Sequence, residues 1–159
     1  MEESHYEQIF EREIKMEDRY LFRGNRIDNR EWVEGMPFEI EGKTMMLIRD
    51  DENFLRAHYL DENMWDAEIY CVEVDPSTIC QCTGLKDKNG KLIWENDIAN
   101  CIEAECCGRI VWNESEAGFY FDVLLEDETY EEEHIYDYVD CMDVIGNVFN
   151  NPELLEVQK

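Results

Sequence analysis

Hydrophobic and polar positions change period near Tyr20. Over residues 3–17, Tyr6, Ile9, Phe10 and Ile14 recur at helical spacing, with Ser4 as a candidate cap and Glu7 three residues later. That pattern predicts a short amphipathic helix at the N-terminus. From Tyr20 onward the pattern becomes that of strands, over 20–23, 32–38 and 44–48, with Gly24, Asn29 and Gly42 as turn signals. Residues 50–66 admit two readings: a helix capped by Asp50 or Asp51 with Phe54, Leu55, Tyr59 and Leu60 on one face, or a loop with one helical turn. Residues 69–74 alternate as a strand that ends at Asp75-Pro76.

The second half is more regular. Five strand-like pieces, 94–103, 108–113, 118–125, 134–138 and 144–148, follow one another at short spacing. Such a series indicates a small antiparallel barrel or sandwich. Asp97-Ile98 followed by a strand opening at Gly108 resembles the first hairpin of SH3-like barrels. Before it, the Asn89-Gly90 pair suits a two-residue hairpin turn, whose central positions both require φ > 0. Asn151-Pro152 ends the last strand, and 153–157 can add a helical turn. The expected fold is mainly β: a helical extension over 1–18, a β lobe over 19–80, and an SH3-like small barrel over 81–159. The seam between lobes falls at 75–81.

Three blocks carry a family resemblance. Residues 22–35 read FRGNRIDNREWVEG, 83–98 read TGLKDKNGKLIWENDI, and 144–155 read VIGNVFNNPELL. In that order they resemble the FRGKRxDNGEWVYG, GLKDKNGKxIYEGDI and VIGNIYENPELL blocks of the YopX family of phage proteins. This chain departs from the pattern at Arg30 and Asn96, where the family usually has Gly. Cys80 and Cys82 likewise stand for the Gly and Tyr of a VGQYTG segment, and residues 1–18 are an addition. The resemblance implies a phage or prophage lineage and a location in the bacterial cytoplasm. It implies no activity.

Charge alters the list of partners. Forty acidic residues face fourteen basic ones, for a formal net charge of −26 over 159 residues. Arg12, Lys15, Arg19, Arg23, Arg26 and Arg30 cluster early, whereas no Lys or Arg lies between Arg109 and Lys159. Affinity for nucleic acid comes largely from cationic side chains displacing counterions, so direct nucleic-acid binding is not expected. A basic protein is the partner such a surface suits. No apolar run is long enough to cross a membrane as a helix, and the acidic start lacks the features of a signal peptide, so a cytoplasmic protein is expected.

The chemistry-bearing residues form no strong motif. Seven cysteines, an odd number without a secretion signal, are expected to be reduced thiols. Cys80 and Cys82 share a strand face, and with Cys106, Cys107 and either Cys101 or His134 they form a candidate zinc set. No C-x2-C spacing supports it, and buried thiols acting as small apolar residues explain the same pattern. His5, His58 and His134 stand apart from any recognisable nucleophile, and no phosphate-binding loop is present. No cofactor is expected and no residue is assigned a catalytic or metal role. The acidic stretch 126–140 interleaves carboxylates with tyrosines. Its candidate interaction residues are Glu128, Tyr130, Glu131, Glu132, Glu133, Tyr136 and Tyr138. They form either a solvated edge that discourages pairing with other chains or the face that meets a protein partner.

The expected function is therefore that of a non-enzymatic accessory or protein-interaction module, with self-association into a homo-oligomer as one form. A sharper form is an acidic decoy for a host nucleic-acid-binding protein. A metal-dependent enzyme or regulator built on the cysteines is the rival.

Overall fold

The computed structural model describes residues 18–48, 56–61, 64–68, 71–102, 104–125, 127 and 129–156. They divide into two compact units, one over Leu21–Ile79 and one joining Asp18–Tyr20 to the chain from Cys80 onward. The fold is mainly β and its strand pairs are antiparallel. Among the described residues the only helical pieces are 3-10 turns of three or four residues. The amphipathic helix expected over 3–17 lies outside the described residues.

In the first unit the strands are β1 (Phe22–Asn25), β2 (Trp32–Ile40), β3 (Lys43–Ile48), β4 (Arg56–Asp61), β5 (Met64–Glu68) and β6 (Cys71–Glu73). β1 to β3 form a meander and β6 adds beside β3, giving the order β6-β3-β2-β1. Glu41 (φ 51°) and Gly42 (φ 77°) make the β2–β3 turn. Two consecutive left-handed residues are what a two-residue type I′ hairpin requires. β2 and β3 approach closely at Gly35, where a Cβ would lie 1.8 Å from the Leu47 carbonyl oxygen. Leu21, Met46 and Val74 are fully buried. Below them Asp75 caps the Pro76–Thr78 turn, its carboxylate accepting from the Ser77 hydroxyl at 2.7 Å and the Ser77 N–H at 3.0 Å. β4 and β5 pair with each other, so the described part of the stretch expected to be a helix or a loop with one helical turn, 56–61 and 64–66, is extended instead. Tyr59 and Trp65 are strand-favouring residues and stand opposite each other in the register.

The second unit contains β7 (Cys80–Lys86), β8 (Leu92–Trp94), β9 (Asp97–Cys101), β10 (Cys106–Asn113), β11 (Gly118–Leu124), β12 (Tyr130–His134) and β13 (Met142–Asn147). β7 and β8 form a hairpin, and the remaining five strands form a sheet of order β12-β11-β10-β9-β13. Its core is Ile93, Ala99, Ile110, Phe121, Val123, Ile135, Met142 and Val144. Phe121 and Val123 on β11, and Met142 and Val144 on β13, stand two residues apart, as one buried face requires.

Three expectations are corrected here. The sheet does not close into an SH3-like barrel: β12 and β13 lie at opposite edges and each has one strand neighbour. The strand expected over 134–138 is Tyr130–His134, followed by a 3-10 turn, Ile135–Asp137, that buries Ile135. The Asn89-Gly90 turn is also different, since of the two only Gly90 takes a positive φ, 81°. The Gly90 N–H donates to the Asp87 carbonyl at 2.9 Å, making a type I turn with a left-handed glycine after it.

Candidate functional site

The acidic stretch becomes strand β12, and its register decides which way each side chain points. Tyr130, Glu132 and His134 stand opposite Leu124, Asp122 and Tyr120, while Glu131 and Glu133 stand opposite Val123 and Phe121. Alternation places the first set on one face and Glu131 and Glu133 on the core side, at its rim. The three carboxylates therefore do not form one continuous face. Together they line both faces of a sheet edge.

Across β10, β11 and β12, Arg109, Asp122 and Glu132 form one row. Arg109 Nε donates to Asp122 Oδ2 at 2.9 Å, and its guanidinium lies over the Tyr130 ring, 4.7 Å from the centroid. Asp122 is buried, so this pair compensates a carboxylate that would otherwise be desolvated without a partner. Arg109 is the last cation before Lys159, and it is already engaged. Among the described residues no cation pairs with Glu131, Glu132 or Glu133; Glu132 accepts a hydrogen bond from the Asn113 side-chain amide.

The tyrosines report this field. Burial pushes the Tyr138 hydroxyl up, and the charges of Glu133, Cys106, Asp137 and Glu131 push it the same way. Tyr120 is raised by burial and by Glu116 and Glu132. A phenolate is disfavoured beside carboxylates because like charges repel. In the β11–β12 loop, Asp127 accepts from the Thr129 hydroxyl and N–H, which holds its carboxyl below the usual value.

The candidate interaction residues occupy different surroundings. Tyr136 is 72% exposed and Tyr130 40% exposed. Tyr138 instead packs on Phe121, ring centroids 5.2 Å apart, and belongs to the edge of the core. Glu128 lies outside the described residues. Of the early basic cluster, Arg26 pairs with Asp28 at 2.6 Å, Arg30 approaches Asp75 at 3.9 Å, and Arg23 stacks on Trp32 at 4.9 Å. Another surface went unread in the sequence: Met36, Phe38 and Ile40 are all exposed on one face of β2. Their i, i+2, i+4 spacing was the available signal.

The cysteines do not converge as a zinc set. Cys80 and Cys82 are fully buried on β7, where Cys80 Sγ accepts from Asn96 Nδ2 at 3.6 Å. Cys101 forms a disulfide with Cys141, correcting the expectation that every thiol is reduced. Cys106 and Cys107 are half-buried, and burial raises both thiols above their usual value. His134 stacks beside Tyr120 at 4.8 Å. Among the described residues, no group of three or more His, Cys, Asp or Glu is placed to hold a metal ion. No helix among them is long and apolar enough to cross a membrane.

Sequence could not show how the carboxylates divide. Asp87, Asp97 and Asp122 are buried and hydrogen-bonded, whereas those of β12 lie at a sheet edge with no cation paired to them among the described residues. The side-chain chemistry described so far holds turns and strands, which defines a small mainly β protein of two units. Its lineage is specific: the family model described as YopX protein matches residues 21–156, and the chain belongs to the YopX family. No curated protein matches it.

Proposed function

We propose that this chain is a non-enzymatic accessory protein of phage or prophage origin that acts in the bacterial cytoplasm through protein–protein contact. Its surface for that contact is the β12 edge with Tyr130 and Tyr136. The observation that carries the reading is an edge strand bearing Glu131, Glu132 and Glu133, with the last cation of the segment already held by Asp122 and Tyr130. A strand edge offers unpaired backbone donors and acceptors, and carboxylates on both sides select a partner of opposite charge. Exposed tyrosines supply contact area at low entropic cost. The partner class that follows is a basic protein, foremost a nucleic-acid-binding protein of the host, for which this surface acts as an acidic decoy.

The test is capture from nuclease-treated bacterial lysate, comparing the natural chain with a variant carrying Glu131→Gln, Glu132→Gln and Glu133→Gln. The expected result is a basic nucleic-acid-binding protein retained by the first, lost from the second, and released as salt shortens the Debye length below about 10 Å. Identical retention by both chains would refute the role of β12.

A further inference from the structure

β9, β10 and the start of β13 bring three cysteines together, independently of any partner on β12. Cys101 ends β9 and is fully buried. It is bonded to Cys141, whose Cα lies 5.3 Å away and which immediately precedes β13. On its other side, the register of β9 and β10 sets Cys106 directly opposite Cys101. Directly opposed residues of an antiparallel pair place their side chains on the same face, Cα atoms about 4.5–5.5 Å apart, within the span a disulfide requires. Cys106 also packs against the core cluster that contains Met142, the residue after Cys141. Cys107, the next residue, projects to the opposite face, and its Sγ lies 3.9 Å from the Leu154 carbonyl.

We propose that Cys106, Cys101 and Cys141 form an internal thiol–disulfide exchange site that moves one covalent link between neighbouring strands. The Cys106 thiolate attacks Cys101 Sγ, forming the Cys101–Cys106 bond as the Cys101–Cys141 bond breaks. Cys141 leaves as a thiolate and takes up the proton that Cys106 gave to solvent. One disulfide is exchanged for another, so no oxidant or reductant is consumed. The Tyr138 carbonyl oxygen, 3.1 Å from Cys141 Sγ, is placed to accept a hydrogen bond from the released thiol. Before exchange the link staples β9 to the approach of β13; afterwards it closes the β9–β10 hairpin, and β13 is held by hydrogen bonds and packing alone. The burial of Cys101 hides the bond from bulk thiols, so its facing neighbour Cys106 is the favoured nucleophile. That makes the site a latent switch on an edge strand of the sheet.

Tryptic fragments separate the two states. Cleavage after Lys91 and Arg109 yields a fragment over 92–109 carrying Cys101, Cys106 and Cys107, while Cys141 lies on the fragment over 110–159. The folded protein is incubated at about pH 9.5, above the ordinary thiol value of about 8.5 because burial raises the Cys106 thiol, then quenched in acid, alkylated and digested without reduction. At the start the two fragments are joined. Exchange releases the 92–109 fragment two hydrogens short of its reduced mass, with Cys107 alkylated, and leaves Cys141 alkylated. Release is expected to persist in Cys107→Ser and to be lost in Cys106→Ser and Cys106→Ala, each confirmed as folded by circular dichroism. Fragments that stay joined in the natural chain overturn the proposal. So does release that is undiminished in both Cys106 variants, or alkylation of both Cys101 and Cys141 at the start.

Discussion

Replacing Asp87 by Asn should destabilise the second unit more than its position in an exposed-looking Asp-Lys-Asn-Gly-Lys turn suggests. Asp87 is only 5% exposed. Its Oδ1 accepts from the N–H groups of Asn89 and Lys91, both at 2.9 Å, and its Oδ2 accepts from the Val144 N–H at 3.1 Å. The last bond crosses from the β7–β8 turn to β13, beside the Lys88 N–H donating to the Met142 carbonyl at 3.0 Å. Asn keeps the shape and the Oδ1 acceptor but presents an N–H₂ group to the Val144 N–H. Losing a hydrogen bond to a charged group costs about 1.5–3 kcal/mol, and leaving a buried donor unsatisfied adds about 1 kcal/mol. The sum, about 2.5–4 kcal/mol, is a large part of the roughly 5–15 kcal/mol that stabilises a domain.

Urea unfolding followed by tryptophan fluorescence measures this difference. The pH dependence adds a second check. Burial opposes the Asp87 charge, but the hydrogen bonds from Val144, Lys91 and Asn89 and the charge of Lys91 outweigh it, so the folded carboxyl lies below its ordinary value. The unfolded chain then binds the proton first. The stabilisation is fully present above the unfolded value of about 3.9 and is lost as pH falls through the folded one. The gap between the natural chain and Asp87→Asn should therefore narrow below about pH 4. Equal stability at neutral pH within about 0.5 kcal/mol, the range of an ordinary surface substitution, would refute the argument, as would a gap unchanged in acid.

The remaining predictions concern strain and charge. Arg30 and Asn96 both sit at φ 64°, at the two positions where YopX proteins usually carry Gly. Arg30→Gly should raise stability by about 0.5–1 kcal/mol, seen as a higher thermal midpoint, because a left-handed Arg carries a steric penalty that Gly does not. Asn96→Gly should change it by less than about 0.5 kcal/mol, since Asn tolerates that region and here also donates to Cys80 Sγ. Arg109→Met strands the buried Asp122 carboxylate and should cost about 2 kcal/mol in urea unfolding, discounted because the Arg side chain is partly exposed. Adding Asp122→Leu should recover most of that loss; an unchanged loss would mean that packing of the Arg stem dominates.

Local signals explain what the sequence revealed. Alternation located β2, β3, β10 and β11 to within a few residues, because one buried face leaves a period of two in the residues themselves. Tyr130–His134 carried no such trace: YEEEH reads as polar throughout, and only pairing with β11 makes it a strand. Barrel closure was illegible for the same reason, since whether two edges meet depends on the twist and tilt of the whole sheet. The disulfide escaped because cysteine spacing fixes no connectivity, and Cys101 and Cys141 are 40 residues apart. At the candidate site, the sequence showed that acids were dense around residue 130. It could not show that Asp122 was buried against Arg109 or that Tyr138 belonged to the core.

The acidic edge also reconciles the two readings of its charge. Pairing two β12 edges from separate copies would set Glu against Glu on both faces, where directly opposed like charges are destabilising. The carboxylates thus disfavour self-pairing through this strand, as charged edges do. The same field lowers the energy of an approaching cationic segment and speeds its encounter. Protection of the edge and the selection of a basic partner proposed above draw on one arrangement, and they separate only by the sign of the charge that arrives. Arg109 is what keeps the arrangement intact: it is engaged by Asp122 and Tyr130 rather than by the β12 carboxylates, so the charge of Glu131, Glu132 and Glu133 is not neutralised by it.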